Sequence, residues 1–337
     1  MSCKIEFMSV FGSGEFEPLC YLLVIDGVRL LLDCGWNMSF DKRAIENMEK
    51  KVDLKLIDAV LLSQPDVWHM GLLPYVYSQL GLDAPIYATA PVWRMGMYGL
   101  LDALVSKHEQ EADFDLFTVD DICMVFEKKF AAKMKYSQEL TVNGVTICPL
   151  NSGHKIGGTV WRMSKDTEVI VYGCDHNIRR ERHLNASVFS GLGQGIDRPS
   201  VLICDAYDEK RRGGGGQQQM KRDVRDKEFV TSVLTALHRG GNVLVPSDAA
   251  GRCLEIILLL YEHFVEQRLF EQFQMCFLSF TSKGVLECAK SMLEWMSDAC
   301  QNALNNKGKN AFDLKHSVII ASSWQDFDHK VKKSLPF

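Results

Sequence analysis

The sequence predicts an α/β protein in two parts, and three observations carry that reading. In the first 205 residues or so, apolar runs of strand length are joined by tight two-residue turns. Beyond a Gly- and Gln-rich stretch, longer helical runs alternate with short strands. Between these lies one apolar run, Ile57 to Leu62, that feeds a polar turn and then an amphipathic helix. A strand end that leads into a helix start is where α/β folds place their chemistry.

Taken in order, Lys4 to Val10 reads as a first strand. Leu19 to Ile25 and Val28 to Leu32 form a hairpin about Asp26-Gly27, because both central positions of a type I′ turn need positive φ. Lys42 to Lys51 is helical, and the Ile57 to Leu62 strand follows, with a helix after it that carries Met70, Leu73 and Tyr75. Ala84 to Thr89 is a strand, and Val92, Met95, Met97, Leu100 and Leu104 give Pro91 to Val105 helical spacing. Thr118-Val119-Asp120-Asp121 is a capping box that opens a helix towards Phe130. Met134 to Leu140 and Val145 to Leu150 pair about Asn143-Gly144, and Thr159 to Met163 pairs with Glu168 to Tyr172. Val201 to Cys204 is a short buried strand. The run Lys210 to Gln219 cannot bury a core and reads as a flexible surface loop near 210–220. After it come a helix over Lys227 to His238, a strand over Val243 to Pro246 and a helix over Gly251 to His263. A strand over Met275 to Phe280 and a helix over Leu286 to Leu304 complete the series. The expected domains are 1–208 and 209–337.

The 337 residues suffice for two sizeable cores, and 47% hydrophobic with 24% charged content suits a soluble globular chain. A formal net charge of −5 gives no overall attraction for nucleic acid. Eleven scattered cysteines with no Cys-x-x-Cys pair read as buried thiols in a reducing compartment. The N-terminus carries no signal-peptide pattern, and the longest apolar stretch, Leu254 to Tyr261, is too short to span a membrane, so no membrane partner is expected.

Candidate chemistry gathers at strand ends. The turn after Leu62 offers Gln64, Asp66, Trp68 and His69. Asp33 precedes Gly35, where a turn-forming aspartate is the simpler reading. His154 lies in a Gly-rich turn, which allows close backbone approach, and Asp175 and Asp205 each end an apolar run. Any one of these aspartates alone reads equally as a cap or turn residue. As a two-metal site the set is poor, since such chemistry needs several His and carboxylate ligands around two ions.

Together these runs resemble the metallo-β-lactamase family, and its β-CASP nuclease branch in particular. Ser63, His69, Gly71, Leu73 and Pro74 fit the frame of the family's Ser-His-x-His-x-Asp-His motif and its x-Gly-x-Leu-Pro extension. Gln64, Asp66 and Trp68 stand where that motif has two metal-binding histidines and an aspartate. Asp33 matches the supporting aspartate of the first motif, His154 the ligand of the third, and Asp175 the bridging aspartate of the fourth. Asp205 matches the first β-CASP motif, and Pro246 to Arg252 resembles another β-CASP stretch. The family's last two histidine motifs are expected further on than Phe337, and His316 and His329 lack their context.

The resemblance implies a four-layered αββα metallo-β-lactamase domain followed by an α/β β-CASP domain of which the C-terminal part is missing. It implies a non-catalytic scaffold with no catalytic residue and no cofactor, and at most one weakly held zinc through Asp66, His154 and Asp175. The implied setting is the pre-mRNA cleavage and polyadenylation machinery of the nucleus. The implied partners are an active β-CASP endonuclease and other subunits of cleavage and polyadenylation specificity factor. Two other readings stay open, a zinc-dependent RNA endonuclease or hydrolase and the silent β-CASP subunit of the Integrator complex. Contact with pre-mRNA would run through Arg179, Arg180, Arg182, Arg211 and Arg212, with Lys210, Lys221 and Arg222 nearby, where a solvated charged face is the alternative.

Overall fold

Asp26 and Gly27 adopt φ of 45° and 87°, and so join strand β2 (Cys20–Ile25) to β3 (Val28–Leu32) as the sequence predicts. A computed structural model describes residues 3–12, 17–191, 196, 198–204, 221–314 and 318–334. Strand β1 (Ile5–Phe11) pairs antiparallel with β2. Helix α1 (Arg43–Lys51) then crosses to β4 (Ala59–Leu61), which runs parallel to β3. Two short helices, α2 (Val67–Met70) and α3 (Leu73–Ser78), lead to β5 (Ile86–Thr89). Helices α4 (Ala90–Gln110) and α5 (Val119–Lys128) precede β6 (Phe130–Met134). Thr118 and Asp121 form both bonds of the capping box on α5. The first sheet has the order β1-β2-β3-β4-β5-β6.

A second sheet is built from β7 (Leu140–Val142), β8 (Val145–Asn151), β9 (Thr159–Lys165), β10 (Glu168–Tyr172) and β11 (Val201–Ile203), in the order β11-β10-β9-β8-β7. Alternation along β3 shows how the layers stack. Leu31 packs with the helices, among Trp36, Met70 and Phe126, whereas Leu30 and Leu32 pack between the sheets with Trp161, Met163 and Tyr172. The far face of the second sheet, with Cys148, Leu150, Val160 and Val171, is covered by Val188 and Phe189 on a single 3₁₀ turn.

From residue 221 the pattern changes. Helices α6 (Arg222–His238) and α7 (Arg252–Glu266) precede β12 (Met275–Leu278), α8 (Ser282–Ser291) and α9 (Asp298–Lys307). Strand β13 (Val318–Ala321) pairs parallel with β12, and α10 (Trp324–Ser334) follows. The core of this second unit includes Leu254, Leu258, Val285, Leu286 and Phe312, and Met95, Ile156 and Leu184 of the first unit are part of it.

Several expectations need correction. Val243 to Pro246 forms no strand. Leu244 is 85% exposed, and β12 and β13 pair only with each other among the described residues. The helix expected over Leu286 to Leu304 is broken by a 3₁₀ turn at Leu293–Trp295, after which Ser297 caps α9. The single helix after β4 is two, with Pro74 in the first turn of α3. Met134 ends β6 and does not open the next hairpin, whose first strand starts at Leu140. The Gly- and Gln-rich run, with Asp205, Arg211 and Arg212, lies outside the described residues.

Candidate functional site

The C-terminal ends of the parallel strands β3, β4 and β5 share one edge, and the ends of β8 and β10 face it from the second sheet. Asp33 leaves β3 with φ of 55°, and Asp175 follows β10 with φ of 51°. Aspartate tolerates this left-handed region better than most residues. Gly35 is required for a separate reason, since a Cβ there would run into the Trp68 backbone.

Beneath the turn, Asp33 is fully buried and serves as an acceptor. Its Oδ1 receives the Ser63 N–H at 2.7 Å, and its Oδ2 receives Ser63 Oγ at 2.6 Å and the Tyr172 hydroxyl at 2.5 Å. Burial raises its carboxyl above the usual range, and the charge of His69 with these three donors acts against that rise. Trp161 donates its indole N–H to the Leu62 carbonyl at 3.0 Å, and the Thr159 N–H bonds the Ser63 carbonyl. The first and second sheets are thus fixed to each other through the start of the turn.

Above the turn the wiring changes. Gln64 is fully buried and donates its amide to Ser152 Oγ at 3.0 Å and to the Asp175 carbonyl at 2.9 Å, while its Oε1 lies close against Gly158. Asp66 receives His69 Nδ1 at 2.7 Å on one oxygen and Lys155 Nζ at 2.9 Å on the other. His69 Nε2 stands 3.2 Å from Asp175 Oδ2. Lys155 Nζ also bonds Asp248 Oδ2 at 2.8 Å, across to the second unit. A chain of alternating charge results, Asp248, Lys155, Asp66, His69 and Asp175.

Burial works against every charge in that chain, and the neighbours outweigh it. For Asp66, His69 and Lys155 overcome burial and hold the carboxyl far below its ordinary range. For Asp175, His69 does the same and brings the carboxyl to about 2. The Lys155 ammonium rises above its usual range because Asp66 and Asp248 face it, and His69 is raised by Asp66, Asp33 and Asp175. His154 is half-buried in the same cleft, and burial lowers its imidazole.

The residues present do not fit a two-metal centre. The Gln64 amide presents its N–H groups to Ser152 and to a backbone carbonyl, and both oxygens of Asp66 already face cations. Trp68 is half-buried in the cleft wall, with an N–H donor where an acid ligand would be needed. Among the described residues, no group of three or more His, Cys, Asp or Glu side chains is placed to hold a metal ion.

The cleft itself has a volume of about 1020 Å³ and runs between the two units, from Trp68 and His154 to Asp248 and Arg252. Its charged lining is Asp66, Asp102, Asp175, Glu181 and Asp248 against Lys155, Arg179, Arg225 and Arg252. Acids outnumber bases, so the cleft has none of the one-sided positive field that draws a polyanion.

The basic residues proposed for RNA contact separate on inspection. Arg182 is not a free surface cation. It is 20% exposed and paired with Asp226, Glu255 and Glu262. Its neighbours complete a latch. Glu255 of α7 accepts the Arg182 N–H at 2.9 Å and His183 Nδ1 at 2.6 Å, and Ser297 Oγ donates to the Arg182 carbonyl. Arg180 is exposed with its guanidinium 3.5 Å from Asp298, and Arg179 is half-buried on the cleft wall. His329 is exposed on α10, away from the cleft lining. Lys155 and Asp248, 93 residues apart, were not foreseen as partners. A lysine inside an otherwise neutral glycine turn, next to His154, was the signal available.

Two sheets packed face to face, helices on the outer face of the first and polar residues gathered where strand ends converge define an α/β sandwich with an edge site. Residues 22–203 match the metallo-beta-lactamase superfamily domain, more than half of the chain, and the chain belongs to that superfamily. It is 42% identical to cleavage and polyadenylation specificity factor subunit 2 of Arabidopsis thaliana, over 95% of this chain and 42% of that protein. It is 40% identical to the probable cleavage and polyadenylation specificity factor subunit 2 of Drosophila melanogaster, over 96% of this chain and 41% of that protein. Endoribonuclease YSH1 of Yarrowia lipolytica is 24% identical, over 94% of this chain and 36% of its own length. The chain thus spans about two fifths of the length of the subunit 2 relatives.

Proposed function

We propose that the chain is a non-catalytic scaffold of the pre-mRNA 3′-end processing machinery. In this reading it acts in the nucleus, as a subunit of cleavage and polyadenylation specificity factor that pairs with an active β-CASP endonuclease. The observation that carries the proposal is the wiring of Asp66, whose two oxygens face His69 and Lys155 and are thereby withdrawn from any metal. The names of the subunit 2 relatives support the setting, and the endoribonuclease among the more distant matches is the kind of active partner the reading calls for. The near-neutral cleft supports a role carried by protein contacts more than by cleavage of a strand within it. No described helix is long and apolar enough to cross a membrane.

The test combines metal content after dialysis, by elemental mass spectrometry, with cleavage of a polyadenylation-signal RNA. An active β-CASP endonuclease serves as the control. The expected outcome is substoichiometric metal, no cleavage above background, and co-purification with the active endonuclease. One zinc per chain, with cleavage abolished by His154→Ala, would overturn the proposal.

A further inference from the structure

The Lys155 side chain is 11% exposed, and its Nζ is held between two carboxylates at 2.8 and 2.9 Å. A buried ammonium is costly unless opposite charges compensate it, so this placement needs both partners. One is Asp66, on the turn of the first unit. The other is Asp248, which precedes α7 of the second unit and also accepts the Arg252 N–H at 2.7 Å. The backbone of the second unit comes equally close: a Cβ at Gly251 would collide with both the Asp248 carboxylate and the Lys155 side chain. The ammonium therefore touches the carboxylate nearest the expected metal position and, through the same atom, the neighbouring unit.

We infer that Lys155 is a built-in cation that stands in for the metal of this fold and clamps Asp66 of the first unit to Asp248 of the second. The inference rests on the non-catalytic reading and deepens it, for it says what neutralises the acid residues left in the site. An ammonium bonds carboxylates without a vacant coordination position, so the clamp is permanent and cannot activate water. Removal of the lysine would leave Asp66, His69 and Asp175 as a weak divalent-cation site.

The experiment is thermal unfolding of the purified protein and of Lys155→Ala, Lys155→Ala/Asp66→Asn and Asp248→Asn. Each is melted in EDTA, in MnCl₂ and in ZnCl₂, with metal content measured in parallel. Wild type is expected to melt at one temperature in EDTA and in MnCl₂. Lys155→Ala is expected to lose roughly 5–10 °C in EDTA, as for a broken buried pair, and to regain part of it in MnCl₂ or ZnCl₂ only while Asp66 is present. A Lys155→Ala protein that melts like wild type would overturn the inference, as would a wild type stabilised by metal as strongly as the variant. If Lys155→Ala does not fold, Asp248→Asn decides: a fall of a few degrees supports the clamp, and an unchanged Tm overturns it. RNA cleavage by the wild type would defeat the non-catalytic reading by itself. An unaltered melt of the lysine variants would defeat only the clamp.

Discussion

The polar residues below the β4–α2 turn and those above it sit a few ångströms apart and are built on different logic. Below, Asp33 is a buried acceptor with three donors, from Ser63 and Tyr172, and all of these groups lie between the two sheets. Above, Gln64, Asp66, His69, Lys155, Asp175 and Asp248 neutralise one another in a chain open to the cleft. The lower set holds the turn whatever the upper set does, because its bonds end on backbone and on groups within the sheets. That separation explains how ligand positions can hold an amide, an indole and a lysine partner while the strand ends stay in place. It also suggests why the supporting aspartate is retained: Asp33 has structural work that does not depend on a metal.

The sharpest way to break this comparison is to remove the lower acceptor. Asp33→Ala would leave the Ser63 N–H, the Ser63 hydroxyl and the Tyr172 hydroxyl unpaired in a fully buried pocket. The expected loss is about 3–5 kcal/mol, read as a large fall in the urea midpoint. Tyr172→Phe removes one donor only and is expected to cost about 1–2 kcal/mol. If Asp33→Ala proved no more damaging than Tyr172→Phe, the lower set would not be the support described.

How much of this was legible depends on sequence distance. The Asp26-Gly27 and Asn143-Gly144 hairpins and the Thr118 capping box are local, and residue types that need positive φ or a side-chain acceptor mark them without help. Asp33, Ser63, His69, His154 and Asp175 were singled out as a set because each falls at a strand end or in the turn beyond it, and parallel strands bring such ends to one edge. Strands β6 and β13 went unseen, since each pairs parallel with a strand at least 40 residues away and has little local signature. Val243 to Val245 shows the converse, for its apolar residues read as a strand yet find no neighbour among the described strands. The Lys155 bridge was hidden for the same reason, as one partner lies 89 residues before it and the other 93 after.

A second comparison, between the cleft chain and the latch at Glu255, is sharpened by pH. Glu255 is buried, which alone would raise its carboxyl, but His183 and the Arg182 and His183 N–H groups bring it down to about 2. A folded-state value below the ordinary 4.5 means stability that is fully present above about pH 4.5 and is lost as pH falls through 2. Its size is on the order of 2–3 kcal/mol. The Tm gap between wild type and Glu255→Gln is expected to be widest near pH 7 and to close between pH 4.5 and 2. A gap that stays constant over that window would mean that Glu255 acts through shape alone.

The smallest expected effect comes from Arg180, and its contrast with Arg182 separates surface charge from structure. Arg180 is 68% exposed and 3.5 Å from an Asp298 that is itself 62% exposed, so solvent and salt screen the pair. Arg180→Ala is expected to change stability by less than about 0.5 kcal/mol. Arg182 is 20% exposed and bonded to Asp226, which is 8% exposed, so Arg182→Ala leaves a buried carboxylate short of its partner and should cost about 2 kcal/mol. The two variants also divide the RNA question. If Arg180 meets a phosphate, Arg180→Ala weakens RNA binding with an unchanged Tm, and the loss shrinks as salt rises because fewer counterions are released. If RNA affinity falls only for Arg182→Ala, together with its Tm, the basic run from 179 to 182 belongs to the latch between the units and its charge is not a nucleic-acid surface.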